Sequence, residues 1–183
     1  GTFAEDCVDK YGFTREQQDE FAISSLERAR KAVEDGSFQS EIAPVTVQTR
    51  QVETLVESDE QPFNANIEKI PTLRPAFRKE GTVTAANSSS ISDGAASLVV
   101  MRRSEAEKRG LKPRAVILGH STHAQEPGWF TTAPVGAMNK LFAKLDMSGP
   151  DFDLYEINEA FAVVTMAAMH DLELPHDKVN VHG

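Results

Sequence analysis

The sequence predicts an α/β protein whose second half is a layered core of sheet and helix. From about residue 92 its hydrophobic pattern reads strand, helix, strand, helix, strand, helix, strand, the alternation that lays helices against a sheet. Within that stretch Ala95 to Met101 is a continuous apolar run bounded by Asp93-Gly94 and Arg102-Arg103, the expected look of a strand buried on both faces. Residues 1 to 91 lack this alternation.

Each element has a local reason. Phe3 to Val8 reads as helix. Thr14 and Gln17 form a capping box for the next one, in which Ala22, Leu26, Ala29 and Val33 fall at helical spacing and Gly36 closes the end. Glu41 to Val56 is rich in β-branched residues and broken by Pro44, which predicts extended structure near an edge. Glu57 to Asn66 reads as a loop, and Ile67 to Phe77 as a short helix interrupted by Pro71 and Pro75. After the apolar run, Ser104 with Glu107 caps a helix that Gly110 ends. Arg114 to Gly119 is a second strand, Ser121 to Pro134 a polar loop, and Met138, Leu141, Phe142 and Leu145 share one helix face. Phe152 to Ile157 and Val179 to Val181 complete the strands.

Composition narrows the function. The 183 residues suffice for an ordinary domain, and a net charge of −9 argues against nucleic acid, which needs a basic surface. No apolar run approaches a membrane span. A single cysteine excludes an intrachain disulfide framework and fits a reducing compartment such as the cytoplasm. That cysteine, Cys7, has acidic neighbours that raise a thiol pKa, so it reads as structural. His120 and His123 lie three apart on non-helical chain, so their side chains diverge and no metal is expected. No phosphate-cradling glycine loop is present.

Chemistry is expected where the Phe152 to Ile157 strand turns into an almost wholly apolar helix. At the carboxyl end of a strand, side chains and free helix N–H groups point into a crevice. Asn158 is read there as the helix N-cap and Glu159 as a first-turn carboxylate.

Asn158-Glu159-Ala160-Phe161-Ala162, following Asp153-Leu154-Tyr155-Glu156-Ile157, resembles the asparagine motif of the thiolases, enzymes that make or cleave the carbon–carbon bond of 3-ketoacyl-CoA. Ser88 to Ala96, preceded by Gly81 to Asn87, resembles the family's loop facing coenzyme A. Thr14 to Phe21, Leu73 to Phe77 and Val179 to Gly183 agree in order and spacing, so the resemblance spans essentially the whole chain. It implies a partial thiolase-like layered α/β core with an α-rich loop domain. Residues 1–91 would be the loop domain over the active site, 92–110 the end of the N-terminal core domain and 111–183 the start of the C-terminal one.

The resemblance also implies roles. Asn158 would hold a water in an oxyanion hole for the enolate, and Ser89 would contact a pantetheine amide. Ala85 would lie along the coenzyme, with Lys69 and Arg74 flanking its nucleotide end. Phe130, Ala160 and Phe161 would line the acyl pocket. Substrates would be acetyl-CoA and acetoacetyl-CoA, with no other cofactor, in a homodimer or homotetramer. In the family the acylated cysteine lies upstream of the part resembling residues 1 to 20, and the Gly-His-Pro and second-cysteine motifs follow the Val-Asn-Val strand. The chain therefore reads as an internal piece of a longer enzyme, inactive alone. The expected parent is an acetyl-CoA C-acetyltransferase; a longer-chain 3-ketoacyl-CoA thiolase or a non-catalytic acyl-CoA-binding protein is the alternative.

Overall fold

Thr14 begins the longest helix as its capping box predicts: its hydroxyl accepts the Gln17 N–H at 3.2 Å and the Gln17 side chain accepts the Thr14 N–H at 2.9 Å. The computed structural model describes residues 1–183. Helix α1 (Thr2–Tyr11) precedes this helix, α2 (Arg15–Glu34), and Gly36 follows it at φ +74°, a left-handed conformation that glycine adopts without cost. An antiparallel hairpin comes next, β1 (Val45–Gln48) with β2 (Glu53–Val56), in register Val45 opposite Val56 and exposed along its length. The predicted loop after it contains one helical turn, α3 (Gln61–Asn64), and the expected helix from Ile67 is a 3₁₀ helix that stops at Thr72. Three α-helices remain, α4 (Arg103–Lys108), α5 (Ala133–Leu145) and α6 (Ala162–Asp171), with short 3₁₀ turns between and after them.

Helix α6 organises the interior. It is apolar nearly all round and correspondingly buried, with Val163, Ala167 and Ala168 fully covered. One side packs with Ala4, Cys7 and Val8 of α1 and with Val83; the other meets Tyr155, Ile157, Leu174 and Val179, flanked by Met138 and Phe142 of α5. Helix and sheet are thus mixed around one central helix, consistent with a partial α/β core.

The strands depart from expectation. Ala95 to Met101 pairs with nothing, and Leu98 and Val99 are 88% and 87% exposed. Arg114 to Gly119 is likewise unpaired, with Ile117 exposed. An apolar run becomes a strand only where neighbouring strands offer hydrogen-bond partners on its edges, and no strand of this chain pairs with either run. Phe152 to Ile157 and Val179 to Val181 meet through a single parallel bridge, Tyr155 with Val179, made by Tyr155 N–H to Lys178 O at 2.8 Å and Asn180 N–H to Tyr155 O at 2.9 Å. The capping box expected at Ser104 is also absent, since the N-cap of α4 is Arg102, two residues earlier.

Helix α2 is tied to the chain's last turns. Arg28 donates to the carbonyls of Val179, Asn180 and His176 at 2.7, 3.1 and 3.0 Å, and the His176 ring stacks on Phe21 at 5.3 Å. Burial, reinforced by the Arg28 charge, holds the His176 pKa below its ordinary value of 6.5. The folded state therefore keeps this imidazole neutral while the unfolded chain takes up a proton, so stability falls as pH drops below about 6.5. Urea midpoints measured at about pH 7.5 and about pH 5.5 should differ less for His176→Asn than for the parent chain, because that slope is removed. Equal differences would show that this imidazole is not held neutral.

Candidate functional site

The segment Asn158 to Phe161 is not helical, and its neighbours show why. Ala160 O accepts both the N–H and the hydroxyl of Ser89 at 3.1 Å, Phe161 forms an isolated antiparallel bridge with Ser88, and Ala162 N–H donates to Asn87 O at 2.9 Å. Pairing with residues 87–89 holds this stretch extended, so α6 starts at Ala162 with Phe161 as its N-cap at φ −147°. Asn158 is therefore not the N-cap, and Glu159 lies ahead of the helix instead of in its first turn. Adjacent sequence favoured an earlier start; a partner distant in sequence overrides it.

Freed from capping, the Asn158 side chain is exposed and makes no hydrogen bond within the protein. It borders a cavity of about 320 Å³ with Phe130, Pro134, Ala137, Met138, Ile157, Ala160 and Val164. That size falls in the range of small-ligand pockets, and the lining is apolar apart from Asn158 and Glu156. An unpaired amide beside apolar walls offers both a donor and an acceptor to whatever enters.

The other predicted residues separate into two groups. Phe130 and Ala160 line the cavity with Asn158, and Ser89 adjoins it through Ala160. Phe161 does not line it; its ring packs against Phe77 and Phe130, with centroids 6.0 and 6.4 Å away. Ala85, Lys69 and Arg74 are exposed and outside the lining. Cys7 is fully buried in α1 and away from the cavity; burial is the main cause that pushes its thiol up, more than the nearby charges. His123 contacts Gln125 at 3.0 Å, and nowhere do three His, Cys, Asp or Glu side chains converge.

Sequence reading missed Asn180. It is 3% exposed, sits at φ +48°, and hydrogen-bonds to both peptide groups of Ile157, next to Asn158. An asparagine inside a β-branched run was the available signal, because asparagine tolerates the left-handed region that valine avoids.

The fold and the cavity define an α/β chain with a ligand-sized crevice beyond the carboxyl end of a parallel pair, where such folds place their sites. The chain belongs to the thiolase family: the thiolase N-terminal domain matches residues 1–104 and the thiolase C-terminal domain residues 111–183. It is 42% identical, over all of its own length and 47% of theirs, to proteins named probable acetyl-CoA acyltransferase from Staphylococcus aureus strains NCTC 8325 / PS 47 and MSSA476. Its structure is similar, with a TM-score of 0.95 and 43% identity, to a crystal structure of the Bacillus anthracis acetyl-CoA acetyltransferase, over 99% of this chain and 46% of that one. The chain thus spans about half the length of the curated relatives it matches.

Proposed function

We propose that this chain contributes one wall of an acyl-CoA acyltransferase site, and that the protein carrying it is an acetyl-CoA C-acetyltransferase. In that reaction an acetyl group passes from acetyl-CoA to a cysteine thiolate, releasing coenzyme A. A base then removes an α-proton from a second acetyl-CoA, and the resulting carbanion attacks the acyl-enzyme carbonyl. Acetoacetyl-CoA forms as the cysteine thiolate leaves; thiolysis is the reverse.

The observation that carries this reading is the unpaired Asn158 amide at the edge of an apolar cavity. Negative charge develops on the thioester oxygen of the second acetyl-CoA as its proton leaves, and an amide N–H, directly or through one water, stabilises it. Phe130 and Met138 both line the cavity, and their bulk there would favour a short acyl group. Ser89, beside Ala160, would turn its hydroxyl to a pantetheine amide, with Ala85 and Phe161 along the same coenzyme. Lys69 and Arg74, both exposed, would stay close to its phosphates. Cys7 is not the nucleophile, since a buried thiol with a raised pKa is neither accessible nor ionised.

No cavity-lining residue can serve as that thiolate, so the 183-residue chain alone should show no turnover and only weak coenzyme A binding. No helix is long and apolar enough to cross a membrane, and we place the protein in the cytoplasm as a homodimer or homotetramer. The test is thiolysis by the protein that carries this chain, with 3-ketoacyl-CoA of increasing chain length. Highest kcat/KM on acetoacetyl-CoA is expected. A preference for long chains would indicate a longer-chain thiolase, binding without turnover a non-catalytic relative, and thiolysis by the isolated chain would overturn the division of labour proposed here.

A further inference from the structure

The segment that presents Asn158 is gripped from behind by groups outside the cavity. The Asn180 side chain acts like a one-residue strand partner: its Oδ1 accepts the Ile157 N–H at 2.8 Å and its Nδ2 donates to Ile157 O at 2.8 Å. The same Nδ2 donates to Glu159 Oε1 at 2.7 Å. The other oxygen of that carboxylate, Oε2, accepts the Ser25 hydroxyl of α2 at 2.7 Å. One turn along α2, Arg28 holds the Val179 and Asn180 carbonyls. Both neighbours of Asn158 are thereby fixed, Ile157 through its backbone and Glu159 through its side chain, while Asn158 itself stays unpaired.

The stereochemistry suits this task. Only a short amide side chain can satisfy an N–H and a C=O of one residue together, and asparagine is among the few residues that accept φ +48°. Aspartate has the same shape and keeps the acceptor, but it sets a carboxylate oxygen against Ile157 O and Glu159 Oε1 where a donor stood.

We propose that Asn180 is a positioning residue for Asn158, acting through Ile157 and through a Glu159 carboxylate that Ser25 of α2 braces from the other side. The catalytic consequence rests on the oxyanion role given to Asn158; the positioning itself does not. A displacement of about 1 Å at such a donor is enough to cost on the order of 10²-fold in rate.

The test combines amide hydrogen exchange with steady-state kinetics on the protein that carries this chain. Asn180→Asp should lower kcat by about 10²-fold with KM within about 3-fold, and should speed exchange at Asn158 to Ala160 by at least about 10-fold while α2 exchanges as before. Adding Glu159→Gln to Asn180→Asp restores a donor opposite the new carboxylate and should recover about 10-fold of kcat, a coupling that independent structural damage would not produce. Additive effects, or unchanged exchange and kcat in Asn180→Asp, overturn the proposal. Where Asn180→Asp fails to fold, Ser25→Ala decides: loss of the brace should cost about 5-fold in kcat at unchanged KM, and an unchanged kcat overturns the proposal equally. If Asn158→Ala leaves the rate intact, the oxyanion reading falls, and the exchange measurement still decides the positioning.

Discussion

Replacing Asn158 by alanine should lower kcat for thiolysis of acetoacetyl-CoA by about 10²–10³-fold, with KM changed far less. The asymmetry follows from when the hydrogen bond matters. A thioester oxygen in the ground state is a weak acceptor, whereas the enolate oxygen carries a full charge, so an amide held beside it binds the transition state more tightly than the substrate. Asn158 can do this because Ala160, Phe161 and Ala162 pair with residues 87–89 and keep its side chain out of a helix cap. Asn158→Asp should be at least as damaging, since a carboxylate there would repel the charge that forms. Steady-state kinetics of both variants check this, and a kcat within about 3-fold of the parent in Asn158→Ala would remove Asn158 from the mechanism.

The largest loss of stability is expected at Glu5. This carboxylate is 1% exposed inside α1, and its oxygens accept the Thr82 and Val83 N–H groups at 3.1 and 3.0 Å. Those N–H groups start the segment that runs to Asn87 and Ser89, so Glu5 joins α1 to the strip that pairs with Ala160 and Phe161. Gly81 allows the approach, because a Cβ there would collide with the Glu5 carboxylate. Glu5→Ala leaves two buried N–H groups without an acceptor and opens space beside Val83, at a cost of about 3 kcal/mol. Glu5→Gln keeps one acceptor oxygen and should lose roughly half of that. Urea unfolding should show the midpoint falling in the order parent, Glu5→Gln, Glu5→Ala. Equal midpoints would mean that water replaces the carboxylate without penalty.

Much of the helical framework was legible because its causes are local. The Thr14 and Gln17 pair started α2 where predicted, and the face through Met138, Leu141 and Phe142 marked α5. The buried side of α2 was less legible: Gln18 and Asp19 are among its covered residues, and neither belongs to an apolar repeat. Gln18 is buried because its amide bonds Thr14 O and the Thr82 hydroxyl, the second partner lying 64 positions away. The asparagine motif lies at the edge of a cavity, which Asn158, Phe130 and Ala160 line together. Lys69, Arg74 and Ala85 rested on resemblance alone, and no contact in this chain draws them to that cavity.

Capping boxes and amphipathic periodicity act between residues a few positions apart, so the order of amino acids was enough to place α2, α5 and the apolar body of α6. Strand pairing and the start of α6 depend on hydrogen-bond partners that no neighbouring residue supplies. That is why Ala95 to Met101 carries a strand's composition without a strand's pairing, and why α6 begins at Ala162 and not after Asn158. Asn180 is the sharpest instance: as a sequence position it is one polar residue in a β-branched run, and only the approach of Ile157, 23 residues away, turns it into the partner that orients the site.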